Sequence, residues 1–220
     1  MTLLLRARRQ RSWPKLATED IVKRARLLVI DDAEFPLIKS FRKDGYNMEK
    51  WNDVRDLGSL ESDSFDLILL DLQGVGRGHS PDQGFGILKH IRETNPAQIV
   101  VAYSNEEWPL EYQPFFHNAD AVLPKTKTDY YEFKRTVDSL LAKRFSLDYY
   151  VERAASEMHD YAGAAPKAPK KIRAAILDRK SDDLADYLKA RIDDAHTVER
   201  VIQVVQIAIQ MAQVVHTWTN

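Results

Sequence analysis

The chain has 220 residues, of which 44% are hydrophobic and 30% charged, enough for one substantial core and a second small unit. It contains no cysteine, which excludes a disulfide framework and any thiolate metal site and fits a reducing, cytoplasmic setting. The formal net charge is −1 but unevenly spread: Lys and Arg number 8, 14 and 10 against 2, 20 and 11 Asp and Glu in residues 1–26, 27–145 and 146–220, giving +6, −6 and −1.

Residues 1–25 form a basic N-terminal extension. In "MTLLLRARRQRSW" the leucines precede the arginines, the reverse of a secretory signal, so no export is expected. The arginines suit nucleic acid, an anionic membrane or the acidic middle of the chain, but the plainer expectation is a short solvated tail. From residue 26 to 145 short apolar runs alternate with helix-like segments: "RLLVI", "EFPLIKSFRK", "FDLILL", "GFGILKHIRE", "QIVVAYS", "DAVLP" and "YYEFKRTVDSLLAKRF". Strands apolar on both faces and separated by helices predict a doubly wound α/β domain, with a weaker strand near Tyr46 to Trp51 completing a five-stranded parallel sheet. The glycine-rich "DLQGVGRGHSPDQGFG" follows the most apolar strand, where a loop of an open α/β sheet rims a ligand site.

After Phe145 the pattern is helical only, and residues 146–220 read as a small all-α output or oligomerisation region. "AGAAPKAPKK", 162–171, has the composition of a semi-rigid linker, followed by helical segments 172–192 and 195–218. On the last helix Val201, Val204, Ala208, Met211, Val215 and Trp218 form one apolar seam. A second, Val198 to Ala212, leaves only a narrow glutamine face. One neighbour cannot cover so much surface, so a homodimer or higher homo-oligomer through 172–218, closing a four-helix bundle, is expected. Gln203, Gln206, Gln210 and Gln213 interrupt the apolar run too regularly for a membrane span.

Chemistry concentrates at the strand ends. "LLVIDDAEF" places Asp31 and Asp32 behind four apolar residues, and "DLILLDLQG" ends the third strand in Asp71. Three converging carboxylates suit a hard divalent cation such as Mg²⁺. The fourth strand ends in Ser104, a hydroxyl, and the fifth is followed by Lys125, an ammonium. The order Asp-Asp, Asp, Ser, Lys at successive strand ends resembles the receiver domain of two-component response regulators over residues 26–145. The resemblance implies a flavodoxin-like fold with Asp71 as phosphoacceptor. It also implies Mg²⁺ held by Asp31, Asp32, Asp71 and the backbone carbonyl of Gln73, a hydrogen bond from Ser104 to the phosphoryl group, and an ion pair to it from Lys125.

Three positions differ from the family pattern. Asn105 follows Ser104 where a small residue is usual, Val122 stands where a Tyr or Phe rotates inward on phosphorylation, and the lysine is followed by Thr126 where many receivers have proline. A muted aromatic relay is therefore expected. Trp108, Tyr112, Phe115, Phe116, Tyr130, Tyr131 and Phe133 fall where receivers signal, and read as a partner surface with about half of them in the core.

The C-terminal region has no basic excess, no helix-turn-helix pattern and no catalytic motif. His159 in "SEMHDY" reads as an ordinary surface or packing histidine rather than a phosphotransfer residue. The expected function is a phosphorylation-gated signalling protein, served by a sensor histidine kinase or phosphotransfer protein and acting through association of its helices. No enzymatic activity is expected beyond its own phosphorylation and slow dephosphorylation. The rival is a transcriptional regulator binding DNA through the basic arm or the oligomer, although nucleic acid is the less favoured partner.

Overall fold

Four apolar runs and the weaker segment near Tyr46 become five strands in the computed structural model, which describes residues 12–104, 116–125 and 129–219. They are β1 (Arg26–Ile30), β2 (Asn47–Trp51), β3 (Leu67–Asp71), β4 (Val100–Ser104) and β5 (Ala121–Pro124), all pairing in parallel in the order β2-β1-β3-β4-β5. The central strands β3 and β4 are buried at every position, because helices cover both faces, whereas edge strand β2 alternates buried and exposed. The helices of this unit are α1 (Thr18–Arg24), α2 (Ile38–Lys43), α3 (Leu57–Glu61), α4 (Gly84–Thr94) and α5 (Tyr130–Arg144). Side-chain caps start two of them: Asp56 accepts from the Gly58 and Ser59 amides, and Asp129 from Glu132. The order 2-1-3-4-5 is the flavodoxin-like arrangement, whose ligand site lies at the carboxyl ends of the strands.

The chain divides into an α/β unit, Leu16–Phe145, and a helical unit that joins Ser146–Asn220 to the residues before Leu16. Residues 1–25 were therefore not one extension. Thr18–Arg24 form α1 within the α/β unit, with acids Glu19 and Asp20 in its first turn, Lys23 and Arg24 in its last, and Ile21 and Val22 buried. Trp13 instead belongs with the helical unit, where its ring lies 5.5 Å from that of Tyr150. Charge counts obscured the one apolar pair that folds this segment.

The helical unit contains α6 (Leu147–Glu157), α7 (Ala168–Asp178), α8 (Asp182–Lys189) and α9 (Ala195–Trp218), with a 3₁₀ turn at His159–Tyr161. The expected linker 162–171 is partly folded: α7 begins at Ala168 with a proline in its first turn, and Ala165 and Ala168 are buried. The expected segment 172–192 is two helices, because Arg179 takes a left-handed conformation (φ 55°) that stops α7. α9 packs against α6, α7 and α8, so much of its wide apolar side is covered by helices of its own chain. Val201, Val204, Val205, Ala208 and Val215 are each 0% exposed, while Gln206, Gln210 and Gln213 face solvent. By length and composition α9 is apolar enough to cross a membrane, but its buried valines are spent on these three helices.

Candidate functional site

Strand register assembles the site. Ile30 pairs with Leu70 and Leu70 with Ala102, so the next row holds Asp71, Tyr103 and Leu123 on adjacent strands, with Asp31 one residue past the end of β1. Asp31, Asp32 and Asp71 offer carboxylate oxygens that all lie within 4.8 Å of one another. Asp31 and Asp71 are buried, and Asp32 is exposed.

Lys125 supplies the cation that two buried acids need. Its Nζ is 2.6 Å from Asp71 Oδ2 and 3.2 Å from Asp31 Oδ2. Asp31 Oδ1 accepts from the Ala33 amide at 2.9 Å, Asp31 Oδ2 from the Tyr103 hydroxyl at 2.8 Å, and Asp71 Oδ1 from the Gln73 amide at 3.1 Å. Burial pushes the Asp71 carboxyl above its ordinary range, and the hydrogen bond from Lys125 opposes that shift only in part. Ser104 is 3% exposed, and its Oγ, at the end of β4, has no hydrogen-bond partner among the described residues.

The loop after β3 is held against the acids by two close approaches. Gly74 has φ +82°, and a Cβ there would lie 2.1 Å from Asp32 Oδ2; its amide donates to Gln83 Oε1 at 2.8 Å. Gly84 opens α4 so close to β3 that a Cβ would lie 2.2 Å from the Asp71 carbonyl oxygen. Gln83, between loop and helix, has φ 54° and ψ −132°, a conformation rare outside glycine.

Three carboxylates against one ammonium leave a charge of −2 when all are ionised, and an all-oxygen donor set fits a divalent hard cation. The unpartnered Ser104 hydroxyl adds a donor for an oxyanion bound beside Asp71. The structure thus brings together Asp31, Asp32, Asp71 and Lys125, places the Gln73 amide on Asp71, and leaves Ser104 buried and unengaged.

Of the aromatics expected on a partner surface, Trp108, Tyr112 and Phe115 lie outside the described residues, as do Asn105 and Thr126, two of the positions that differ from the family pattern. Phe133 is buried, Phe116 packs against the core and Tyr131 is 79% exposed. Val122 is 43% exposed on β5. His159 is an exposed member of the 3₁₀ turn rather than of a long helix. Tyr103, Gly74 and Gln83 went unremarked in the sequence. The signal for Tyr103 was available, since it precedes Ser104 and so falls in the strand row of Asp71.

No family model and no curated protein matches the chain. Solved structures do. A CheY-like response regulator receiver domain protein from Methanospirillum hungatei is 21% identical, covering 55% of this chain and 95% of its own, at a TM-score of 0.43. A Vibrio cholerae chemotaxis protein is 20% identical over 53% of this chain and 98% of its own, at 0.43. A Thermotoga maritima response regulator in complex with Mg²⁺–BeF is 20% identical over 53% and 98%, at 0.39. These receiver domains are what the α/β unit is similar to among solved structures.

Proposed function

We propose that this protein is a phosphorylation-gated signalling protein whose α/β unit accepts a phosphoryl group on Asp71. The observation that carries the reading is the meeting of three carboxylates and Lys125 beside a buried, unpartnered Ser104 hydroxyl. In the transfer, an Asp71 carboxylate oxygen attacks phosphorus, its new O–P bond forms, and the bond from phosphorus to the donor's leaving group breaks with its electron pair going to that group. Lys125, now paired with Asp71, turns to the phosphoryl oxygens as the carboxylate charge is consumed. Ser104 donates its free hydroxyl to another phosphoryl oxygen. Asp31, Asp32, Asp71 and the Gln73 carbonyl would hold Mg²⁺, which supplies charge neutralisation to the incoming phosphoryl group.

The donor in this reading is a sensor histidine kinase or a phosphotransfer protein, in a cytoplasmic setting. The protein performs no catalysis beyond its own phosphorylation and slow dephosphorylation. The output is protein association by the helical unit. Self-association draws on what α9 leaves half-buried, Ile202 and Ile209 on one flank and Ile207 and Val214 on the other. Light scattering at about 100 μM, where a dimer of ~10 μM affinity is mostly assembled, reads it directly; a monomer there rejects self-association as the output. DNA binding by the basic arm has less to stand on, because Lys23 and Arg24 close a folded helix.

Incubation with a small acyl phosphate, followed by intact-mass measurement, tests the acceptor. The wild type gains one phosphoryl group only with Mg²⁺ present, Asp32→Ala is modified slowly, and Asp71→Asn is not modified. Equal modification of wild type and Asp71→Asn rejects the assignment.

A further inference from the structure

Tyr103 sits among the acids with no part in the transfer just described. Its neighbours in register are Asp71 and Leu123, so its side chain leaves the sheet on the face of the Asp71 carboxylate. The side chain is 0% exposed, with its ring 5.5 Å from Phe35 and 6.2 Å from Phe133, centroid to centroid. A phenylalanine would fill this space without a polar atom to satisfy. The hydroxyl nevertheless finds a partner, Asp31 Oδ2 at 2.8 Å, and the ring carries Lys125 Nζ 4.7 Å from its centroid. A phenol is protonated at neutral pH, so in this contact the hydroxyl is the donor.

We propose that Tyr103 is a positioning residue of the cation site, fixing Asp31 with its hydroxyl and Lys125 with its ring. The proposal rests on the phosphoryl-acceptor reading above. Both oxygens of Asp31 are held from inside the protein, Oδ1 by the Ala33 amide and Oδ2 by Tyr103, so the carboxylate is oriented before any cation arrives. The hydroxyl also shares Asp31 Oδ2 with Lys125, which keeps the ammonium between two acids instead of captured by one. Without the hydroxyl, Asp31 at 1% exposure keeps Lys125 as its one side-chain donor among the described residues. The ammonium is then drawn to Asp31, where it competes with a divalent cation for the same charge.

The test is calorimetric titration of MgCl₂ into the full-length wild type and Tyr103→Phe, with thermal melts of both in EDTA. Tyr103→Phe keeps the ring, so a role limited to packing leaves Mg²⁺ affinity unchanged. The expected result is a cooperative melt with Mg²⁺ affinity lowered about 10-fold or more, the usual scale for loss of a group that orients a metal ligand. Affinities equal within about twofold overturn the role of Tyr103 and leave the acceptor site standing. Absence of Mg²⁺ binding by the wild type overturns the cation site itself, and this inference with it. NMR of the wild type decides the matter independently of how the variant folds. A slowly exchanging Tyr103 hydroxyl proton should be present and should persist on addition of Mg²⁺; its loss on Mg²⁺ addition means the contact does not serve the bound state, and refutes the proposal.

Discussion

The two units bury apolar side chains to a similar degree but treat polar groups in opposite ways. Nine polar or charged side chains are buried among the described residues; eight lie in the α/β unit and one, Thr197, in the helical unit. Some of the eight brace the scaffold: Arg144, at the end of α5, donates to the Ala97 carbonyl and pairs with Asp63 at 2.6 Å. The others, Asp31, Asp71 and Ser104, sit at strand ends: Lys125, Tyr103 and backbone amides hold the two acids, and the Ser104 hydroxyl has no hydrogen-bond partner among the described residues. A fold tolerates such groups where a ligand completes them. The helical unit shows the complementary economy: α9 buries a valine stripe and caps its start with Asp194, which accepts from the His196 and Thr197 amides.

The largest effect that could break this comparison is a charge placed in the valine stripe. Val201→Asp should cost the helical unit on the order of 4 kcal/mol or more, because among its described residues no Lys or Arg is buried to pair with the new charge. Amide NMR should show the α9 signals collapsing while those of Val29, Leu69 and Val101 keep their native shifts. Loss of both sets together would mean that the two units do not fold separately.

A moderate effect of opposite sign is expected in the α/β unit. Asp71 has a folded-state pKa raised by burial, so its ionised form opposes folding, and stability is lost as pH rises through that pKa. Asp71→Asn escapes this loss. It should raise Tm at neutral pH and in EDTA, on the order of 2–4 °C for each kcal/mol recovered, and the gap should close as the solution is acidified towards pH ~4. A lower Tm at neutral pH would show that the ion pair with Lys125 outweighs the burial cost.

The smallest effect concerns transmission. Val122 is exposed on β5 and has no ring to turn inward, so beryllofluoride with Mg²⁺ should shift the amides of Asp31 to Ala33 and Asp71 to Gly74 more than those of Ala121 to Leu123. Equal shifts at the two places would reveal a relay through other residues.

The central strands were legible because they are apolar on both faces, and the carboxylate cluster drew notice because its residues fall at strand ends. Asp31, Asp32, Asp71 and Lys125 lie together in the structure. Elements that depend on a few contacts were not legible. α1 rests on Ile21 and Val22 within a segment dominated by charge, and the break between α7 and α8 rests on one arginine in a left-handed conformation, which composition does not signal. The apolar circumference of α9 was visible, but sequence periodicity gives how much surface needs covering and not whose. Tyr103 escaped because a tyrosine in a strand is ordinary, and only its register with Asp71 makes its hydroxyl informative.

Gly84 leaves no slack between the first turn of α4 and the backbone of Asp71. Two surfaces in hard contact cannot slide independently, so a displacement of the Asp71 peptide of even a few tenths of an ångström must be taken up by the helix start beside it. This abutment joins the Asp71 peptide to an eleven-residue helix through backbone alone, with the glycine as the bearing between β3 and that lever.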